Sequence, residues 1–235
     1  MVKGCVSLPT CCQQDADCTD GGTACTTEAC VDGTCASTFT DGPACCKSST
    51  LAAAFFNGGW DGFQVVQDAD PGDGVGWAWS PGPSGDAPGA LHYGNAVGTY
   101  DSGKQNSAAV ESPSFLVAPQ WTTVLSFRVL LDTEWAHGVG SIDWDRLTVT
   151  VVDPESKLAP QVVWSSTTGT PPWWTSGPDG QPTGPAWIHV TKLDLGLARG
   201  RLVRLRFHFD TLDGDANGYG GVSLDDITVL TTCSP

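Results

Sequence analysis

A loop rich in carboxylates and amides lies near the C-terminus and has the composition of a calcium site. Its residues are Asp213, Gly214, Asp215, Ala216, Asn217 and Gly218. This series matches the opening D-x-D-x-N-G of an EF-hand loop, in which alternate residues of a tight turn supply oxygen ligands. The twelfth position of that motif holds Leu224 instead of a bidentate Glu. The loop therefore indicates either a calcium site outside an EF-hand or a hairpin turn built from good turn residues.

Asp225 and Asp226 follow this loop, at a point where the strand alternation changes phase. The apolar residues on the two sides of the pair occupy opposite phases: Val222 and Leu224, then Ile227 and Val229. A β-bulge at the pair would account for the change and would aim both carboxylates at one spot. Two adjacent charges near a core are unfavourable without a cation or hydrogen-bond donors. The alternative is a strand covered on both faces, with no bulge.

The residue patterns of the common hydrolases and phosphate-binding enzymes do not occur in this sequence. There is no GxSxG elbow, no HExxH motif and no phosphate loop. Glu134 and His137 form a single acid and histidine pair at the wrong spacing for a zinc protease, and the four histidines are scattered. We therefore predict no catalytic residues and a chain that is not an enzyme.

The charge balance excludes further classes of function. With 26 acidic and 11 basic residues the formal net charge is −15, whereas nucleic-acid binding needs clustered Lys and Arg. No apolar run approaches the roughly 20 residues that span a bilayer. We therefore expect no nucleic-acid partner and no membrane span.

The cysteines are concentrated at the N-terminus. They are Cys5, Cys11, Cys12, Cys18, Cys25, Cys30, Cys35, Cys45, Cys46 and Cys233. This clustering is typical of a disulfide scaffold made in an oxidising compartment, and the absence of any histidine before His92 makes zinc a weaker interpretation. If all ten are oxidised within one chain, Cys233 bridges back to the cluster; a free thiol or an intermolecular bond are the alternatives. The first residues carry no apolar stretch of a signal peptide, so we expect a mature chain or an expressed fragment.

Composition divides the chain into two domains. Residues 1–47 hold few large apolar side chains, so disulfides must replace a core there. Residues 48–235 contain short segments of β-forming residues separated by Gly, Pro and Asp, which predict an all-β sandwich. Strands are expected at 124–131, 146–152, 187–195 and 201–209, with a linker or short strand at 48–54.

A Pro- and Gly-rich stretch at 165–186 is predicted to be a long loop, and it contains Trp173 and Trp174. Loops of this length in a compact domain are often functional. The two tryptophans are candidate ligand-binding residues because aromatic faces stack on sugar rings. The alternative is that both rings fold back over the core.

Several short motifs, taken in order, resemble one known family. They are 56–63 (FNGGWDGF), 92–95 (HYGN), 99–103 (TYDSG), 106–107 (NS), 112–114 (SPS), 209–213 (FDTLD) and 221–229 (GVSLDDITV). Together they resemble the MAM-like jelly-roll domain of immune inhibitor A-like secreted bacterial proteins. Residues 17–35 resemble the short Cys-rich modules of secreted myxobacterial proteins. The resemblance implies a jelly-roll β-sandwich after a small disulfide-rich module.

The same resemblance implies structural calcium and a set of ligands. Asn57 and Asp226 are the first candidates, followed by Asp101, Asn106, Asp213 and Asn217, with Asp215 and Asp225 as neighbouring acids. Asn57 stands where an acidic residue is often found in that family, so a weaker site or a backbone carbonyl ligand is expected there.

The hypothesis drawn from these features is a secreted or cell-surface, calcium-stabilised adhesion or recognition protein that is not an enzyme. Its partner would be protein or carbohydrate at a cell surface. Two alternatives stay open: a structural subunit of an extracellular fibre that self-assembles, and a carbohydrate-binding module.

Overall fold

The computed structural model describes residues 12–18, 26–39, 48–70, 72–81, 89–134, 145–167, 174–176 and 182–232. These residues belong to two compact units that divide between Ser48 and Ser49. Among the described residues no helix has the length and apolar character needed to cross a membrane.

The first unit is a disulfide-bonded β-hairpin. Strands β1 (Thr26–Val31) and β2 (Thr34–Phe39) pair antiparallel after a short 3-10 helix at Asp15–Asp17. The turn between the strands is Asp32-Gly33, and both residues have positive φ, as a two-residue type I′ hairpin requires. Two disulfides, Cys12–Cys30 and Cys18–Cys35, attach the segment before the hairpin to its two strands.

These two bonds confirm the predicted disulfide chemistry for four of the ten cysteines. Cys30 and Cys35 are register partners across the hairpin, yet each bonds to the segment at 12–18 instead of to the other. The remaining six lie outside the described residues: Cys5, Cys11, Cys25, Cys45, Cys46 and Cys233.

The described residues of the second unit form fourteen strands and one short 3-10 helix at Gly196–Ala198. The strands are β3 (Ser49–Ala54), β4 (Gln64–Asp68), β5 (Gly76–Ser80), β6 (Ala90–Gly94), β7 (Ser107–Glu111), β8 (Phe115–Leu116), β9 (Thr122–Asp132), β10 (Arg146–Val152), β11 (Gln161–Ser165), β12 (Trp174–Ser176), β13 (Pro182–Pro185), β14 (Ile188–Asp194), β15 (Leu202–Asp210) and β16 (Gly221–Thr232). All four strands predicted from the sequence are present, and residues 48–54 form β3 instead of a linker.

Twelve of these strands form two antiparallel sheets. The first sheet has the order β11-β10-β15-β7-β4, with β8 also paired to β15. The second has the order β14-β9-β16-β6-β5, with β3 also paired to β16. The short strands β12 and β13 pair with each other. The segment at 165–186 therefore contains a pair of strands, whereas its composition predicts a long loop.

Alternation along the strands builds one core between the sheets. On β15 the side chains of Val203, Leu205, Phe207 and Phe209 are buried, as their spacing predicts. From the second sheet Phe127 meets Phe207 edge to face, with 5.5 Å between ring centroids. Trp77 is also buried. The predicted fold class, an all-β jelly-roll sandwich preceded by a small disulfide-bearing unit, is confirmed.

The outer face of the first sheet carries an ion-pair network. The outward residues of β15 include Arg204 and Arg206, and both contact the buried carboxylate of Glu111 on β7, at 3.2 and 2.6 Å. Charge pairs therefore cover this part of the outer face.

The predicted β-bulge in β16 is confirmed. The register of β16 against β9 shifts between Asp225 and Thr228, and Asp226 has φ of 50°. Because one extra residue is accommodated there, the apolar side chains on both sides of the bulge point into the same core.

Candidate functional site

A groove of about 710 Å³ lies on the outer face of the second sheet. Its floor includes His92, Ser223 and Leu130, which are register partners across β6, β16 and β9. On the side of β9, the groove is lined by residues that precede β14, among them Trp187. At the strand ends, it is lined by Asn95 and Asp132. The groove therefore combines an aromatic ring, an aliphatic side chain and several polar groups on a rigid sheet.

The polar part of the floor is a histidine and serine pair. His92 Nδ1 lies 3.0 Å from Ser223 Oγ. Burial lowers the pKa of His92 below its ordinary value, so the ring is neutral at neutral pH. Gly94 makes room for this ring, because a Cβ at that position would lie 2.6 Å from His92 Nε2. The floor thus presents the uncharged ring of His92, which the fully buried Ser223 orients.

The loops at the rim are ordered by local hydrogen bonds. Asn95 Oδ1 accepts the backbone N–H groups of Val97 and Thr99, each at 3.0 Å. Asp132 Oδ2 accepts the N–H of Gly220 at 2.9 Å, and a Cβ on Gly220 would lie 2.5 Å from that oxygen. The rim is therefore formed before any ligand arrives.

Trp187 is held in place by a charged side chain from the neighbouring strand. The guanidinium carbon of Arg128 lies 4.8 Å from the centroid of the indole, a cation–π contact. Arg128 in turn lies 3.3 Å from Asp226 Oδ2 and 4.0 Å from Asp225 Oδ2. The bulge pair therefore orients Arg128, and Arg128 supports one side of the indole.

Sequence reasoning missed Trp187, Arg128, His92 and Ser223 as site residues. The segment at 187–195 was identified only as a strand. The one signal in the sequence for a site here was Trp187 itself, a large aromatic residue at the start of a strand whose alternation places polar residues outward. Of the two predicted ligand-binding tryptophans, Trp173 and the side chain of Trp174 lie outside the described residues.

The calcium ligands expected at the bulge are not suited to a cation without rearrangement. Asp225 is buried, burial raises its pKa, and its Oδ1 accepts the N–H of Asp226 at 2.7 Å. The positive charge near both carboxylates is already that of Arg128. Asn57 is exposed and follows β3. A calcium ion here would have to displace Arg128, so the role of Asn57 and Asp226 as ligands stays a prediction.

The other predicted ligands lie in two adjoining loops. Asp213 Oδ1 accepts the N–H of Asp215 at 2.9 Å, and Asn217 Nδ2 donates to the carbonyl oxygen of Asp213 at 3.4 Å. In the neighbouring loop Asp101 Oδ1 accepts the N–H of Gly103 at 2.7 Å.

Asn106 joins these two loops. Its Oδ1 accepts the hydroxyl of Tyr93, its Nδ2 donates to the carbonyl oxygen of Tyr100, and its backbone N–H donates to Thr211 Oγ1 at 3.0 Å. Leu224, at the EF-hand position for Glu, is buried in β16. The loop at 211–220 is therefore a connection between two strands and not an EF-hand.

Two buried acids that sequence reasoning missed lie beside this loop. Tyr100 Oη donates to Asp145 Oδ2 at 2.5 Å, and it accepts the N–H of Glu134 at 3.1 Å. The N–H of Asp145 donates to Glu134 Oε1 at 3.0 Å. Burial raises the pKa of Asp145 to about 8 and also raises the pKa of Glu134, with a further contribution from the charge of Asp213.

No protein-family model and no curated protein matches the chain, so the MAM-like and myxobacterial resemblances stay predictions. Solved structures do show similarity. One is the K1 cleaved adhesin domain of Lys-gingipain from Porphyromonas gingivalis W83, with 20% identity and a TM-score of 0.49 over 80% of this chain and 99% of that one.

Two further similar structures are more distant. A carbohydrate-binding module of the β-sandwich superfamily shares 13% identity, with a TM-score of 0.42 over 87% of this chain and 72% of that one. An arabinose-bound α-L-arabinofuranosidase shares 14% identity, with a TM-score of 0.36 over 72% of this chain and 23% of that one. All three similarities concern the β-sandwich fold, and none of them assigns a ligand to this chain.

Proposed function

We propose that this chain is a non-catalytic recognition module of a secreted or cell-surface protein, and that it binds carbohydrate in the groove of the second sheet. The observation that carries this proposal is the position of Trp187, supported by Arg128 beside a neutral floor of His92 and Ser223. An aromatic ring next to a few uncharged donors and acceptors suits a sugar, which has apolar C–H faces and many hydroxyl groups.

The charge of the protein favours a neutral ligand. The formal net charge is −15, and the groove itself includes Asp132. An anionic polymer would be repelled, whereas a neutral glycan pays no such electrostatic penalty. We therefore propose neutral oligosaccharides as the ligand class.

The disulfides support an extracellular location for the protein. Two bonds close a hairpin unit with little apolar core of its own, which is typical of proteins matured in an oxidising compartment. Structural calcium is part of the same proposal. The alternative of a fibre subunit stays a prediction.

The test is a glycan microarray followed by calorimetric titration with the best-bound neutral oligosaccharide. We expect Trp187→Ala to weaken binding by about tenfold or more, as for an aromatic residue at the centre of a binding site. Leu116→Ala is the matched control, because Leu116 is exposed on β8 of the opposite sheet. Absence of binding by the unmodified protein, or equal binding by Trp187→Ala, would overturn the proposal.

A further inference from the structure

Asn57 differs from the other asparagines of the chain in the partners of its side chain. The chain has four asparagines, and Asn57 lies in an exposed turn after β3. Among the described residues its carboxamide forms no hydrogen bond. The side chains of the other three are held by hydrogen bonds: Asn95, Asn106 and Asn217. The carboxamide of Asn57 is therefore not held in one orientation by the protein.

The next residue, Gly58, has an accessible backbone nitrogen. Gly58 is exposed and lies in the same turn. A Cβ at this position would have no atom within 4 Å beyond the adjacent residues. In the part of the chain that the structure describes, no acceptor binds the N–H of Gly58. This nitrogen can therefore approach the side-chain carbon of Asn57 without a steric barrier or the loss of a hydrogen bond.

The backbone just before the turn is fixed, while Asn57 and Gly58 stay exposed. The N–H of Phe56 donates to Asp61 Oδ2 at 2.6 Å, and the carbonyl oxygen of Phe56 accepts the indole N–H of Trp79 at 2.7 Å. The Asn57–Gly58 peptide therefore rests on a stable support, and a reaction there requires no opening of the core.

We propose that Asn57 is a site of spontaneous deamidation. The nitrogen of Gly58 forms a bond to Cγ of Asn57, the Cγ–Nδ2 bond breaks, and ammonia leaves with the proton of the Gly58 amide. Water then opens the succinimide ring. Cleavage between the nitrogen and Cγ gives aspartate, and cleavage between the nitrogen and the backbone carbonyl carbon gives isoaspartate. Either product adds one negative charge to the turn, and the only co-reactant is water.

Asn217 provides a matched comparison in the same chain, because it is also followed by glycine. Asn217 is only 2% exposed, and its Nδ2 donates to the carbonyl oxygen of Asp213 at 3.4 Å. Ring closure at Asn217 requires the loop to open first, which adds a free-energy cost. We therefore expect deamidation of the folded chain to be roughly tenfold or more faster at Asn57 than at Asn217.

The experiment incubates the full chain at mildly alkaline pH, folded in one sample and unfolded in urea in another. Peptide mapping by mass spectrometry follows both sites, since each deamidation adds about 1 Da. In urea both Asn-Gly pairs are exposed, so we expect similar rates at Asn57 and Asn217. In the folded sample we expect modification at Asn57 alone, together with a more acidic form in isoelectric focusing. No glycan is needed, so the result is independent of the proposed function.

Two variants test the mechanism. Gly58→Ala places a methyl group beside the attacking nitrogen and has room for it in the fold. We expect it to slow deamidation of Asn57 by roughly tenfold and to leave Asn217 unchanged. Gly218→Ala is the matched control and should leave the rate at Asn57 unchanged. If thermal unfolding shows that Gly58→Ala alters the fold, Asn57→Gln replaces it, and the acidic form should then be absent.

Three results would overturn the proposal. One is an equal rate at Asn57 and Asn217 in the folded chain, because the structure would then select neither site. Another is an intact Asn57 in the folded sample after the urea sample has reacted. The third is a folded Gly58→Ala protein that deamidates at Asn57 as fast as the unmodified chain.

Discussion

Two pairs of acids in the same sandwich have different partners. At the bulge Asp225 and Asp226 face the Arg128 guanidinium of the adjacent strand. Glu134 and Asp145 are buried and face Tyr100, whose hydroxyl donates one hydrogen bond and carries no positive charge. The first pair has a cationic partner, and the second has none among the Lys, Arg and His side chains of the described residues.

This difference teaches that adjacency in sequence is a poor guide to how buried charges are balanced. The two consecutive aspartates looked like the stronger calcium signal, yet the strand register brings Arg128 directly opposite Asp225. Glu134 and Asp145 are separated by a long connection and carry no motif, yet the fold brings them to one hydroxyl group. Electrostatic balance depends on which strands are neighbours.

The largest effect is expected when Arg128, whose charge balances Asp225 and Asp226, is replaced by a neutral residue. We expect Arg128→Met to lower the free energy of unfolding by about 3 kcal/mol, because two carboxylates lose their partner and one of them is buried. Urea denaturation measures the effect. Arg146→Met is the control, because Arg146 is exposed at the start of β10, and its expected change is within about 0.5 kcal/mol. Equal stability of the two variants would show that Arg128 does not balance the pair.

Neutralising one acid in each region should give opposite signs in calcium-free buffer. We expect Asp225→Asn to lower the free energy of unfolding by about 1 kcal/mol, because Arg128 loses part of its partner. Asp145→Asn should leave it unchanged or raise it by up to about 1 kcal/mol, because burial raises the pKa of Asp145 to about 8, and the amide that replaces this acid is neutral and keeps an acceptor for Tyr100. Denaturant titration of both proteins with chelator present measures this, and the same sign for both would contradict the comparison.

Two half-buried histidines, His92 and His208, provide a test with a smaller expected effect. Burial lowers the pKa of His92 and of His208 below the ordinary value of 6.5. Below that pH the unfolded chain therefore binds more protons than the folded one, and the free energy of unfolding falls as pH decreases from about 6.5. Above pH 6.5 both histidines are neutral in the folded and the unfolded chain, so they no longer make the free energy of unfolding depend on pH.

The measurement is urea denaturation at several pH values on both sides of 6.5. The double variant His92→Gln, His208→Gln should show a shallower decline than the unmodified protein. An identical pH profile would mean that neither histidine contributes, and that the acids alone set the pH dependence.

Much of the fold follows from local patterns. The alternation on β15, the extra residue at Asp225 and Asp226, and the disulfide chemistry of the N-terminal cysteines were all predictable, because each depends on neighbours in the chain. The pairing of β12 with β13 was not predictable, because this segment is rich in Pro and Gly and its composition predicts a loop.

Less of the candidate site was predictable. The groove includes outward residues of several strands, and the motifs that contain His92 and Ser223 do not show that these side chains share one face. Trp187 is recognisable as a platform only after Arg128 is known to lie against it. Asn217 was expected as a ligand. Its Oδ1 is buried and has no hydrogen-bond partner among the described residues, and this depends on how the loop packs.

The sequence by itself determined an acidic, all-β protein with a disulfide-bonded N-terminal unit, because strand periodicity, turn residues and cysteine clustering act over short distances along the chain. Only the tertiary structure decided which charges meet. Arg128 and Asp226 are 98 positions apart, and Tyr100 and Asp145 are 45 apart. Such pairs are set by sheet order and register, and these determine whether a buried carboxylate meets a guanidinium or a hydroxyl group.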